Sequence, residues 1–233
     1  MYKKDLQADI LAIGAHSDDV EIGMGGTLAK WIGEGMSAVI CDLTKAEMSS
    51  NGTPENRLKE ADAAAAILGV KKRMNLDLGD RKLSADQHSI EQVVRMVRAV
   101  KPKMIFSPYY EDRHPDHMHA ANIVIEAVFS ARIRKYETEQ PAHKAAHYHY
   151  MINGIHKPDF VVDVTDVHEQ KVRSLSAYKS QFTPENGVQT PLTDGYIETV
   201  IARDRVFGKE VEVKMAEGFK SDKPLLINKG FGI

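Results

Sequence analysis

The first half of the chain alternates short apolar runs with longer segments that carry apolar residues at helical spacing. The apolar runs predict strands at 10–15, 36–43, 73–78 and 103–107. The segments between and after them predict helices at 20–35, 54–68, 89–100 and 116–133, the second with Thr53 as N-cap and Gly69 as a stop signal. This alternation predicts an α/β fold, with a doubly wound, mostly parallel sheet and helices on both faces.

The pattern is less regular after about residue 136. Strands are predicted at 147–152 and 160–164, an amphipathic helix at 167–180, and a Pro- and Gly-containing loop or lid at 183–195. No internal repeat or Pro/Ser linker interrupts the chain. We therefore expect a single domain over 1–233, with a core at about 7–135 and a C-terminal elaboration at about 136–233.

Composition narrows the function classes. The chain has 233 residues and a formal net charge of -2, which gives little electrostatic support for nucleic-acid binding. Cys41 is the only cysteine, so an intrachain disulfide and a Cys-rich zinc site are both excluded. No signal peptide or membrane span is visible in the sequence, and we expect a cytoplasmic protein with no membrane partner.

The first polar cluster, Gly14-Ala15-His16-Ser17-Asp18-Asp19, follows the first predicted strand. A dinucleotide site at this turn would need glycines and exposed backbone donors, and two Asp carboxylates would repel a pyrophosphate. Carboxylates beside a histidine suit a cation instead. Gly23, Gly25 and Gly26 are expected to let the first helix approach the sheet closely.

The second polar cluster, His114-Pro115-Asp116-His117, follows the strand predicted at 103–107. If a helix begins near Pro115, the side chains of His114 and His117 project in similar directions. One of them can then bind a metal while the other faces a substrate. Asp116 is a natural orienting partner for a catalytic imidazole.

Parallel strands end at one edge of the sheet, so the two clusters are expected to meet where the strand order reverses. His16, Asp19 and His117 then form a set of three N/O ligands, which leaves a fourth position for water as in catalytic zinc sites. Zinc can lower the pKa of that water from ~16 to ~7, and Asp18 can accept the remaining proton. Each cluster alone has a simpler interpretation, as a helix cap or as a helix start with a solvated face.

These two motifs resemble those of the LmbE/PIG-L-like family of zinc-dependent N-acetylglucosamine deacetylases. The resemblance implies a Rossmann-like fold, with one Zn²⁺ per chain bound by His16, Asp19 and His117 and with Asp18 as the base. His114 would stabilise the developing charge or protonate the leaving amine, oriented by Asp116. Since His and Asp ligands also accept Fe²⁺, Co²⁺ or Mn²⁺, the ligand set does not fix the metal.

The resemblance also implies two further site residues. Arg57 looks like the family's substrate-contacting arginine, although a solvated residue at a helix start is an equally good interpretation. Tyr196 looks like a tyrosine that assists the oxyanion, with three competing tyrosines at Tyr109, Tyr110 and Tyr178.

Within the family, the chain is similar to the bacillithiol-pathway enzymes, which deacetylate N-acetylglucosaminyl malate. The similar stretches lie at 41–44, 49–53, 109–117 and 151–154. A guanidinium such as that of Arg57 can bind a malate carboxylate. The resemblance to this family also implies that the protein forms a homo-oligomer. Three alternatives to this function remain open. The same site could hydrolyse a different N-acyl group or a phosphoester, or the protein could be a non-catalytic metal- or nucleotide-binding module.

The other histidines have simpler explanations. His147 and His149 alternate along a predicted strand, so one face of a sheet accounts for both. His119, His156 and His168 have no partner that the sequence identifies, and surface positions are expected for them.

Overall fold

The computed structural model describes residues 6–136 and 140–225. The first five residues, on which the expectation of no signal peptide partly rests, lie outside this range. One seven-stranded sheet crosses the described chain in the order β3-β2-β1-β4-β5-β7-β6. Its strands are β1 (Ile10–Gly14), β2 (Ala38–Asp42), β3 (Lys72–Asn75), β4 (Met104–Pro108), β5 (Ala146–Tyr150), β6 (Phe160–Asp163) and β7 (Ala216–Lys220).

Strands β1 to β5 pair in parallel, and β7 pairs antiparallel with both β5 and β6. The helices are α1 (Asp19–Gly33), α2 (Pro54–Leu68), α3 (Gln87–Val100), α4 (Pro115–Ala131), α5 (His168–Ser176), α6 (Lys179–Phe182) and α7 (Tyr196–Glu210). This is the mostly parallel α/β sheet that the sequence predicts. No helix in the described ranges has both the length and the apolar character needed to cross a membrane.

The two faces of the sheet bury separate apolar cores because successive side chains of a strand point in opposite directions. Ile10 and Ala12 of β1 pack with residues of α1, α2 and α5, whereas Leu11 and Ile13 pack with residues of α3 and α4. Helices therefore cover both faces, as predicted. Cys41 lies in the second core and is fully buried.

Helix α1 lies unusually close to the sheet, as its glycines predict. A Cβ atom on Gly23 would lie 2.0 Å from the ring of Tyr150, and one on Gly26 would lie 2.9 Å from Val164. Only glycine leaves room for this approach. Close packing here fixes the start of α1, where the first polar cluster lies.

Helix α2 matches its prediction at both ends. Thr53 accepts a hydrogen bond from the backbone N–H of Asn56, and Gly69 ends the helix at φ 78° in the left-handed region. Both are standard cap geometries. Local sequence signals are therefore enough to predict both ends of this helix.

The helix predicted at 167–180 is wrong in its extent. A 3-10 turn at Thr165–Val167 leads into α5, and Tyr178 then leaves the helical region at ψ 62° before α6 begins. The fully buried Tyr178 donates a hydrogen bond to Glu21 of α1, at 2.9 Å. This tertiary contact outweighs the helical periodicity. The elements α7 and β7 were not predicted at all.

The strand order reverses between β1 and β4. The chain leaves β1 toward β2 and β3 on one side, and later continues from β4 to β5 on the other side. Crossovers that diverge in this way leave a crevice beyond the carboxyl ends of the two strands. The His16 and His114 clusters follow β1 and β4 and therefore face each other across it.

Candidate active site

The turn between β1 and α1 is held by its own side chains. The backbone N–H of His16 donates to Oδ2 of Asp19, at 2.9 Å. Asp18 occupies the position before α1, but its carboxylate accepts no capping hydrogen bond from the first turn of this described helix. The capping interpretation is therefore wrong for Asp18.

The second cluster starts helix α4, as predicted. Pro115 is the first helical residue, and Nδ1 of His114 accepts a hydrogen bond from the backbone N–H of Asp116, at 3.2 Å. The rings of His114 and His117 stack with centroids 4.7 Å apart. Because Nδ1 of His114 is an acceptor, its ring proton lies on Nε2 when the imidazole is neutral.

The two clusters meet around the Asp19 carboxylate. Its Oδ1 lies 3.2 Å from Nε2 of His117, and its Oδ2 lies 3.7 Å from Nδ1 of His16. One ligand atom from each of His16, His114 and His117 also lies within 4.8 Å of the others. Ligand atoms ~2.1 Å from a tetrahedral ion are about 3.4 Å apart. The donor types and their spacing therefore fit a divalent metal.

Buried carboxylates contact the far side of both metal-facing rings. Oδ1 of Asp112 lies 3.0 Å from Nδ1 of His117. Nε2 of His16 lies 3.3 Å from Oδ1 of Asp80 and 3.6 Å from Oδ2 of Asp116. Such partners fix the tautomer and orientation of ligating imidazoles.

The expected pairing of Asp116 with His114 needs correction. The Asp116 carboxylate accepts from Arg81, at 2.8 Å from its backbone N and 3.1 Å from its Nη1, and it faces His16. Only the backbone N–H of Asp116 contacts the His114 ring. The first turn of α4 directs the side chain away from His114, so the carboxylate supports a different histidine.

The carboxylates around the two rings favour protonation of both histidines. Burial lowers the pKa of His117, but the carboxylates of Asp19 and Asp112 outweigh it and raise this pKa to about 9. Burial likewise opposes protonation of His16, whose pKa is nevertheless raised by Asp116, Asp19 and Asp80. Burial raises the pKa of Asp19, yet His117 and His16 bring it well below its usual range. The region is a strongly negative pocket that favours positive charge.

Asp18 and Arg57 form a buried ion pair beside this pocket. Nη2 of Arg57 lies 3.2 Å from Oδ1 of Asp18, and Nε donates to Oγ of Ser17 at 3.2 Å. Arg57 is only 3% exposed, so the interpretation as a solvated helix-start residue is wrong. Its guanidinium is positioned to hold Asp18.

A second arginine supports the same turn from behind. Arg73 of β3 donates to the Ser17 carbonyl and to the carboxylates of Glu21 and Asp42. The Tyr178 hydroxyl also donates toward the Ser17 carbonyl. These buried contacts fix the backbone immediately before Asp18.

A cavity of about 520 Å³ opens over these groups. Its walls include His16, Asp18, Asp19, Arg57, Asp80, Arg81, Arg113, His114, His117, Asn153 and Tyr196. Among the described tyrosines, Tyr196 is the one that lines it. The Tyr196 hydroxyl lies 3.1 Å from the Ile152 carbonyl and 3.1 Å from Oδ1 of Asn153, and burial raises its pKa to about 12.

The sequence predicted most of the residues that line the cavity, but it did not predict the polar residues that support them. The cavity contains seven of the eight predicted site residues, while Asp116 lies just behind its wall. Asp80, Asp112 and Asn153 were not predicted to have a role. Asp80 follows β3 at the same sheet edge, and Asp112 is part of the polar stretch before His114, so their positions were the available signals.

Comparison with known proteins decides the family. The profile of the PIG-L family, described as GlcNAc-PI de-N-acetylase, matches residues 11–128. A diacetylchitobiose deacetylase from Thermococcus kodakarensis is 32% identical, over 91% of this chain and 82% of its own length. The chain belongs to the PIG-L family of de-N-acetylases.

Other PIG-L relatives differ in their named substrates. A probable N-acetyl-alpha-D-glucosaminyl L-malate deacetylase 2 from Bacillus cereus is 25% identical over 76% of this chain and 84% of its own length. A 4-oxalmesaconate hydratase from Pseudomonas putida is 26% identical over 75% of this chain and 74% of its own length. Similarity at this level therefore does not identify the substrate.

Solved structures confirm the PIG-L fold. The conserved protein TT1542 from Thermus thermophilus superimposes with a TM-score of 0.89 at 34% identity, covering 97% of this chain and all of that one. An N,N'-diacetylchitobiose deacetylase from Pyrococcus horikoshii gives a TM-score of 0.80 at 24% identity, over 94% of this chain and 86% of that one. At the lower identity the likeness concerns the fold alone.

Proposed function

We propose that this PIG-L family member is a zinc-dependent hydrolase that removes the acetyl group from an N-acetylglucosamine conjugate. One observation carries the proposal. The Asp18 carboxylate lies in the cavity and does not cap helix α1. It adjoins a group of side chains that are suitable ligands for a divalent metal, and it is held there by Arg57. A protein that only binds metal has no need of a further carboxylate in the cavity beside its ligands.

His16, Asp19 and His117 would hold the cation, with Asp80, Asp116 and Asp112 orienting the two rings. A bound divalent ion would polarise the acetamide carbonyl and acidify a water molecule. Zinc suits this N/O donor set, and Fe²⁺ is the alternative that the ligands also accept. His114 borders the same centre and stays available to the substrate because Asp19 already links the other two rings.

Asp18 is the general base in this proposal. It accepts a proton from the water that attacks the acetamide carbon, and Arg57 holds its carboxylate in place. Arg57 thereby acts on the substrate through Asp18 as well as by lining the cavity. As the C–N bond breaks, the proton passes to the leaving amine, so the products are acetate and a free glucosamine nitrogen.

His114 and Tyr196 are the hydrogen-bond donors in this proposal. Burial lowers the pKa of His114, and the neighbouring His117 and His16 add to the effect. A neutral His114 ring carries its proton on Nε2, and that N–H can donate to the oxyanion or to the departing nitrogen. The Tyr196 hydroxyl is protonated at neutral pH, as an ordinary tyrosine is, and burial raises its pKa further; it can donate to the same oxyanion.

The conjugated group is a finer part of the proposal. The resemblance that suggests malate has Arg57 as its supporting chemical point, but this guanidinium is paired with Asp18. Arg81 and Arg113 remain on the cavity wall as cations for a carboxylated conjugate. Identity is also higher to the diacetylchitobiose deacetylase than to the malate deacetylase. We therefore propose a glycosidically linked N-acetylglucosamine, with malate and a second sugar as the two candidates.

The test is acetate release by the full chain, reloaded with zinc after chelation. N-Acetylglucosaminyl malate, diacetylchitobiose and free N-acetylglucosamine serve as substrates, with the metal-free protein as control. We expect hydrolysis of at least one conjugate, faster than that of the free sugar, and none without metal. A zinc-loaded protein that releases no acetate from any of the three would contradict the proposal.

A further inference from the structure

A second cluster of metal-ligand side chains lies away from the cavity, at the far side of β4. His147 and His149 project from one face of β5, and Asp222 approaches them from the segment after β7. One ligand atom from each of the three residues lies within 4.8 Å of the others. None of the three lines the active-site cavity.

The His149 ring is oriented as in a metal ligand. Its Nδ1 lies 3.0 Å from the carbonyl oxygen of Pro108, which can only accept, so Nδ1 carries a proton. Its Nε2 lies 3.1 Å from Oδ2 of Asp222. A lone pair and a carboxylate at this distance repel each other unless a proton or a cation lies between them. Two ligands of one ion are typically about 3.0 to 3.5 Å apart, so a cation fits.

Ser107 of β4 fixes the spacing of the two rings. It is the register partner of His149, and its hydroxyl lies 2.8 Å from Nε2 of His147 and 3.1 Å from Nδ1 of His149. The ring centroids are 4.5 Å apart. His149 is fully buried, whereas Asp222 is on the surface. A rigid pair of imidazoles, one half-buried and one fully buried, together with one solvent-accessible carboxylate leaves an entry path for an ion.

We propose that His147, His149 and Asp222 form a second site, for a divalent transition-metal ion. Two imidazoles and one carboxylate are a donor set that binds Zn²⁺, Fe²⁺ and Co²⁺. The ion would attach the segment after β7 to strand β5 and so fix the antiparallel edge of the sheet. The alternative is a simple ion pair between protonated His149 and Asp222, without a metal. This site is independent of the proposed deacetylase reaction.

Metal counting separates these two possibilities. The full chain is stripped with a chelator, equilibrated with excess Zn²⁺, freed of unbound metal by gel filtration, and analysed for zinc per chain. We expect about two equivalents in the wild type and about one in the His147→Gln/His149→Gln and Asp222→Ala variants. His156→Gln is the matched control, because His156 is near Tyr109 but outside the cluster, and it should retain the wild-type content.

Hydrogen exchange gives a readout that does not depend on activity. Zinc should slow exchange at residues 216–225 in the wild type and leave it unchanged in Asp222→Ala. Asp222 is 40% exposed, so this variant should fold even if the double histidine variant does not. Each of these variants that folds should release acetate at the wild-type rate. A wild type and an Asp222→Ala variant with the same zinc content and the same exchange at 216–225 would overturn the second site.

Discussion

Asp112 gives the sharpest prediction about the metal centre, because it contacts a proposed ligand but no substrate is needed to test it. Its Oδ1 lies 3.0 Å from Nδ1 of His117 and accepts from the backbone N–H of His114 and from Nδ2 of Asn153. Its Oδ2 accepts from the backbone N–H of Asn153. The change Asp112→Asn keeps the shape but removes the charge and one acceptor.

The size of the effect follows from these contacts. The charge-assisted contact with His117 becomes a neutral one, a loss of about 1 kcal/mol. The new NH₂ group must face either the His117 side or the Asn153 N–H, and an unsatisfied buried donor costs about 1–3 kcal/mol. Partners of this kind typically contribute 10- to 100-fold in metal affinity. We therefore expect Asp112→Asn to weaken zinc binding by about 10- to 100-fold, or about 1.4–2.7 kcal/mol.

The assay is zinc affinity measured by competition with a chromophoric chelator at fixed pH. The pKa of His117 in the metal-free protein should also fall, since a carboxylate that raises it is lost; NMR titration measures this. Glu111→Gln is the matched control, because Glu111 is adjacent in sequence but exposed to solvent. A folded Asp112→Asn protein with zinc affinity within about twofold of wild type would refute the reasoning.

Three further predictions address the site and the fold. Zinc affinity should rise between pH 6 and 9 by about tenfold per pH unit for each displaced proton, because raised pKa values keep His117 and His16 protonated in this range; pH-independent affinity between 6 and 9 would contradict this. Gly23→Ala places a methyl group against Tyr150 and should lower the free energy of unfolding by about 1–3 kcal/mol and Tm by several degrees. Gly33→Ala, where the added methyl group meets open space, should leave Tm unchanged, and equal Tm values for the two variants would contradict the close packing. Tyr196→Phe should lower kcat about 10²-fold at similar KM, and unchanged kcat would leave Tyr196 a structural role.

Much of the fold follows from local sequence signals. Helix α2 was predictable because a capping Thr53, an alanine-rich body and Gly69 all indicate the same element. Strand β7 was not predictable, since its buried Glu217 breaks the apolar pattern. That carboxylate lies 2.7 Å from Nζ of Lys171 and accepts hydrogen bonds from the backbone N–H groups of Gly26 and Thr27. Partners from two distant segments, α1 and α5, compensate its burial, and local periodicity carries no trace of them.

The site shows the same division. His16, Asp19 and His117 could be predicted to meet because two short motifs follow strands that end at one sheet edge. The orientation of the carboxylates could not be predicted. The Asp116 carboxylate contacts Arg81 and His16, whereas the Asp112 carboxylate contacts His117. Sequence spacing identifies which chemical groups are near, but the turn geometry decides which histidine each one supports.

The Asp18→Asn variant tests the central claim most directly. Zinc content and kcat are measured on the same zinc-loaded preparation, with the N-acetylglucosamine conjugate that the wild type hydrolyses fastest as substrate. Loss of a general base predicts that kcat falls by about 10²- to 10⁴-fold while zinc per chain stays at the wild-type value. Wild-type turnover, or loss of the metal together with the activity, would contradict the role of Asp18 as the base beside the metal.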